Sequence, residues 1–235
     1  MPAILPRQLP ALRALLVTTG FLFAGGPITQ LAEGLSLGSA IVSIPRAGRS
    51  KGAAIFSAWL VVSAISTVVG TYAVSRGIHT NQIYQWYRLL TVILLTAVCV
   101  RMVADPRPRQ LIIGVAVAYL LLWLAAVLRL EAGAPFSNFS YPATQAVGLL
   151  VGILLVRQAL RRDDLLPFRQ AETWLGIGLI LACSTGMIRN PLLAIAGPDH
   201  RALSGKIYHL TGLFNDVSLI LYCIAFWARS IIWTR

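Results

Sequence analysis

Five ionisable residues lie within long apolar stretches of this sequence: Glu33, Arg88, Arg189, His209 and Asp216. A charge in hydrocarbon costs roughly 2.5–3.5 kcal/mol on insertion scales, so each must face a protein interior, water or a partner. Arg88 and Arg189 offer guanidinium forks that suit an anionic or carbonyl-bearing ligand. Asp216 could carry a proton or a cation. Spacing groups them further. His209 and Asp216 are seven residues apart and share a helix face, with Asn215 adjoining. Tyr84 and Arg88 are four apart and share another. Asn190 stands between Arg189 and Pro191, a proline that removes a backbone donor and should kink its helix.

Depth follows from a helical rise of about 1.5 Å per residue. Counted inward from the outer ends of their spans, Arg88 is roughly 10 Å in, Arg189 roughly 12 Å, and His209 and Glu33 roughly 9 Å, while Asp216 is roughly 20 Å in. Four of the five therefore fall in the same half of a bilayer. The simplest arrangement is a polar cavity open to the outside, lined by Arg88, Arg189, His209, Tyr84 and Glu33. A purely structural reading stands beside it. Arg88 could pair with Glu33 and Arg189 with Asp216 to lock helix positions, or both arginines could snorkel to the headgroups.

Several chemistries find no support. No HExxH pair, paired histidine metal ligands or phosphate-binding loop occurs, and Ser and His stand at no spacing that suggests a nucleophile and its base. The expectation is that the chain is not an enzyme. A membrane haem with two histidine ligands needs a second histidine at the depth of His209, but His79 and His200 fall between apolar runs. Retinal needs a lysine deep in the last helix, and the only lysines are Lys51 and Lys206. No cofactor or metal is expected. Cys99, Cys183 and Cys223 each lie in an apolar run, outside any CxxC pair, and read as small residues in helix packing.

The elements that must position these residues are membrane helices. Of the 235 residues, 57% are hydrophobic and only 12% charged, about half the charge of a soluble domain. Six apolar runs cover 52–74, 82–103, 111–128, 141–156, 173–196 and 203–227, and a weaker one covers 27–44. Each of the six fits a crossing of roughly 30 Å. The expected fold is all-α: a polytopic transmembrane bundle of seven helices forming one domain over 27–235. Residues 1–26 hold Arg7 and Arg13 ahead of an apolar stretch. They read as an interfacial helix, a signal-like segment or an extra short helix that would make eight. Gly148 and Gly152 form a GxxxG step for close helix packing, within the chain or against a second copy.

The formal charge of +12 is distributed in short clusters between the apolar runs. Arg46, Arg49 and Lys51 form one; Arg101, Arg107 and Arg109 another; Arg157, Arg161, Arg162 and Arg169 a third; Arg229 and Arg235 a fourth. Alternating helices put all four on one side, and the opposite loops carry only Arg76, Arg129, Arg201 and Lys206. The positive-inside rule then makes the carboxyl end cytoplasmic. Such clusters suit anionic lipid headgroups on that side rather than nucleic acid, which would need a continuous basic stripe. The expected location is a bacterial inner membrane, crossed several times.

The Arg161-Arg162-Asp163-Asp164 loop, the Gly186-Met187-Ile188-Arg189-Asn190-Pro191 stretch, and Ile207-Tyr208-His209 followed by Asn215 and Leu221-Tyr222 carry a resemblance. Together they resemble the seven-helix membrane domains that precede histidine kinases in bacterial sensor proteins. The likeness spans roughly the second half of the chain and has no strict motif. It implies a receptor-like or small-ligand-binding protein acting through another membrane or signalling protein, since no output domain follows Arg235. An accessory subunit of a larger membrane complex and a proton- or cation-coupled transporter are the alternatives.

Overall fold

The computed structural model describes residues 27–76, 78, 80–127, 139–162, 165–196, 201–228 and 231–233. The 1–26 segment lies outside the described residues. Within them run seven α-helices: α1 Pro27–Ser43, α2 Lys51–Ser75, α3 Asn81–Met102, α4 Pro106–Ala125, α5 Ser140–Leu160, α6 Ala171–Ala196 and α7 Arg201–Trp227. Short 3-10 turns, Ile44–Arg49 and Pro167–Arg169, precede α2 and α6. Six helices, α2 to α7, are long and apolar enough to cross a membrane, the pattern of a multi-pass membrane protein. With 17 residues, α1 is the short one.

Helix starts at the polar boundaries have local causes. Asp105 accepts the backbone N–H of Arg107 at 3.0 Å, and Pro106 occupies the first helical position, where a missing N–H costs nothing. This cap starts α4 five residues before the apolar run does, so the first turn is the polar Arg107–Gln110 stretch.

The helices close into a ring in the order α1, α2, α3, α5, α6, α7, with α7 returning to α1; α4 packs outside the ring against α3 and α5. The tightest contact is α5 against α6. A Cβ built on Gly152 would lie 2.8 Å from the Gly176 carbonyl, and one on Gly176 would lie 2.7 Å from the Gly152 carbonyl. A Cβ on Gly148 would strike Cys183 Sγ. The GxxxG step is therefore buried inside the bundle, where missing side chains let two backbones approach.

One end of the ring is basic and plugged by aromatic rings. Phe56 and Trp59 of α2 meet Tyr222 of α7 edge to face, with centroids 5.2 and 5.7 Å from the tyrosine ring. Gly178 of α6 leaves room for that ring. Outside this plug the connections are clipped together. Arg46 donates to the Phe226 carbonyl, and Arg162 pairs with the fully buried Glu172 at 3.3 Å. The Ile231–Trp233 tail is tied to the segment before α6, with Ala171 N–H donating to Ile232 O at 3.0 Å and Ile232 N–H to Arg169 O at 2.6 Å. The polar groups described next gather at the opposite end.

Candidate functional site

Arg88 stands two turns into α3, Tyr141 in the first turn of α5, and Arg189 two turns before the end of α6. Because α3, α5 and α6 are consecutive in the ring, the three side chains meet at the end away from the basic clusters. The Arg88 guanidinium carbon lies 5.4 Å from the Tyr141 ring centroid, and that of Arg189 lies 5.1 Å from it. Both distances fall within cation–π range, each contact contributing about 0.5–2 kcal/mol. Arg189 Nη2 also donates to the Tyr141 hydroxyl at 2.7 Å. Arg88 Nη1 donates to Ser140 Oγ at 3.0 Å.

A polar network extends from this centre. Thr144 donates to the Ser140 carbonyl at 2.8 Å, and its Oγ1 shares a 2.8 Å hydrogen bond with the Tyr119 hydroxyl of α4. Gln145 lies on the Tyr141 face of α5, one turn on. Gly186 of α6 makes space for both: a Cβ there would lie 2.7 Å from the Gln145 amide carbon and 3.0 Å from the Tyr141 hydroxyl. Tyr87, beside Arg88 in α3, donates to Ser63 Oγ of α2 at 3.1 Å. The polar layer therefore draws on α2, α3, α4, α5 and α6.

The expected lining changes accordingly. Arg88 and Arg189 do come together, but on a tyrosine that the sequence reading passed over. Tyr84 shares a helix with Arg88 yet diverges from it, its hydroxyl pressed against Gly70 of α2. The cause is positional: α3 has α2 on one side and α5 on the other, and long side chains four residues apart can serve different neighbours. His209 is exposed on α7 and takes no part in the Tyr141 cluster. Asp216 is 4% exposed, and neither carboxylate oxygen has a hydrogen-bond partner among the described residues. The suggested Arg189–Asp216 lock is absent among the described ion pairs, which are Arg161–Asp105 and Arg162–Glu172. The side chains of Glu33 and Asn190 lie outside the described residues, as do His79, His200, Asp163 and Asp164.

Ser140, Tyr141, Thr144 and Gln145 carried a signal that charge alone does not give. They form two i, i+4 polar pairs in the first turns of an otherwise apolar helix. Gly34-Leu35-Ser36-Leu37-Gly38 spells G-x-S-x-G, the string of a hydrolase nucleophile elbow. That elbow requires a sharp strand-to-helix turn, whereas Ser36 sits mid-way along α1, buried. Among the described residues no three His, Cys, Asp or Glu side chains gather to hold a metal.

The site sets two cations about one phenol, beside amide and hydroxyl groups. No family model matches the chain, and neither does any curated protein or solved structure.

Proposed function

We propose that this chain is a receptor-like membrane protein that binds a small anionic or carbonyl-bearing ligand through Arg88, Tyr141 and Arg189, and acts through a partner protein. The observation that carries this reading is the convergence of two guanidinium groups from different helices on one tyrosine ring. Two guanidinium groups held at one phenol supply a preformed anion-binding fork. In this reading all seven helices cross a bacterial inner membrane, with the carboxyl end cytoplasmic and the site in the outer half. A bound anion would bridge α3 and α6 across α5, giving occupancy a way to alter helix packing.

The test is a thermal-stability screen of the purified full chain in neutral detergent against acetate, succinate, citrate and their amides. The expected result is a rise in melting temperature with at least one compound, lost in Arg88→Gln and Arg189→Gln. Gly186→Ala, which fills the space beside Tyr141 without altering charge, should weaken the response too. If all three variants respond as the wild type does, the site is elsewhere.

Asp216 favours a second reading, proton- or cation-coupled transport, because a buried carboxylate without a described partner is an intramembrane proton carrier in waiting. Proteoliposome flux that vanishes in Asp216→Asn supports transport; no flux across a pH gradient in the wild type removes it. The accessory-subunit reading loses one support, since its GxxxG face is occupied within the bundle.

A further inference from the structure

At the basic end, a cavity of about 290 Å³ opens between α2, α3 and α4, lined by Lys51, Val100, Arg101 and Arg109. Its volume is just under the usual range for ligand sites, about 300–1,000 Å³. Three of its four lining residues are cations, and they come from three helices: Lys51 opens α2, Arg101 lies in the last turn of α3, and Arg109 in the first turn of α4. The walls are set by packing. α2 and α3 touch where Gly52 meets Met102, a residue with no exposure. Arg109 donates its Nε to the Val103 carbonyl at 2.6 Å, which aims the guanidinium and leaves its terminal nitrogens for another acceptor. The nearest acid in the sequence, Asp105, is engaged elsewhere, by the Arg107 N–H at 3.0 Å and Arg161 at 3.4 Å.

All three cations lie within about a turn of the ends of membrane-crossing segments, which run over Lys51–Ala73, Ile83–Met102 and Pro106–Ala125. That is the level of lipid headgroups. Val100 supplies apolar surface beside the cations, as an acyl-glycerol body would need. We propose that this cavity is a phosphate-binding site, occupied by the headgroup of an anionic phospholipid. Lys51 and the two arginines hold the phosphate oxygens there, Arg109 in a fixed orientation. The site is at the opposite end of the bundle from Tyr141 and does not depend on the ligand reading made there.

The experiment uses the purified full chain in neutral detergent, mixed with phosphatidylglycerol or phosphatidylcholine and weighed by native mass spectrometry. The wild type should retain phosphatidylglycerol selectively. Arg101→Gln/Arg109→Gln should bind it at least about tenfold more weakly, since each lost hydrogen bond to a charged group usually costs about tenfold or more. The control, Arg157→Gln/Arg169→Gln, removes the same charge from exposed positions outside the cavity and should bind as the wild type does. A second arm measures melting temperature with millimolar inorganic phosphate. Stabilisation of the wild type that the cavity variant lacks assigns the site to free phosphate; no effect, with lipid retained, assigns it to the headgroup. If the control loses lipid as much as the cavity variant, or neither probe binds the wild type, the proposal is overturned. Should the double variant fail to fold, Lys51→Gln and Arg101→Gln, both at exposed positions, test the same point singly.

Discussion

Tyr141 is the residue on which the chemistry of the polar end turns. Its ring meets Arg88 and Arg189, and its hydroxyl accepts from Arg189. Tyr141→Phe keeps both ring contacts and deletes one charge-assisted hydrogen bond, worth about 1.5 kcal/mol or somewhat less where water can substitute. For a chain of this size the melting temperature should fall by about 2–4 °C per kcal/mol. A larger drop, comparable with that of Arg189→Ala, would mean that the ring's placement rather than the hydroxyl bond matters. Arg88 and Arg189 were legible in the sequence because a charge inside an apolar run needs a reason. Tyr141 was not, because a tyrosine at the start of a membrane helix reads equally well as an interface anchor. Nor could Tyr84 and Arg88 be separated: helical spacing gives a shared face but not the neighbours that divide it.

Among the elements, α5 and α6 form the closest pair, and their contact is backbone on backbone. Gly152→Ala would set a methyl group 2.8 Å from the Gly176 carbonyl, which no rotamer change relieves. The helices must part, at a cost of about 1–3 kcal/mol. Gly114, on α4 outside the ring, has nothing within 4 Å of an added Cβ. There the same substitution should be neutral or stabilising, by up to about 1 kcal/mol from helix propensity. Thermal unfolding of the two variants in one detergent checks the contrast, and equal effects would contradict the packing described. The apolar runs located α2 to α7, but several helices outrun them. α4 begins at its Asp105 cap and α5 continues to Leu160, because hydropathy marks the hydrocarbon layer while capping and backbone hydrogen bonds carry helices into the polar zone.

At the largest scale, six of the described helices close a ring with α4 outside, plugged by aromatics at the basic end and polar at the other. The charge clusters made this polarity legible before any packing was known. The ring order was not legible, since an apolar helix that faces lipid and one that faces a neighbour have the same composition. In the proposed orientation, which follows the positive-inside rule, the basic end faces the cytoplasm. A carboxyl-terminal green fluorescent protein fusion should therefore fluoresce and an alkaline phosphatase fusion stay inactive; the reverse would invert the bundle. The central claim is that two arginines on one tyrosine hold a small anion. Calorimetric titration of the most stabilising compound into wild type, Arg88→Gln and Arg189→Gln tests it most directly. Each variant should bind about 10–100-fold more weakly, the loss of one hydrogen-bonded charge, and unchanged dissociation constants in both would contradict it.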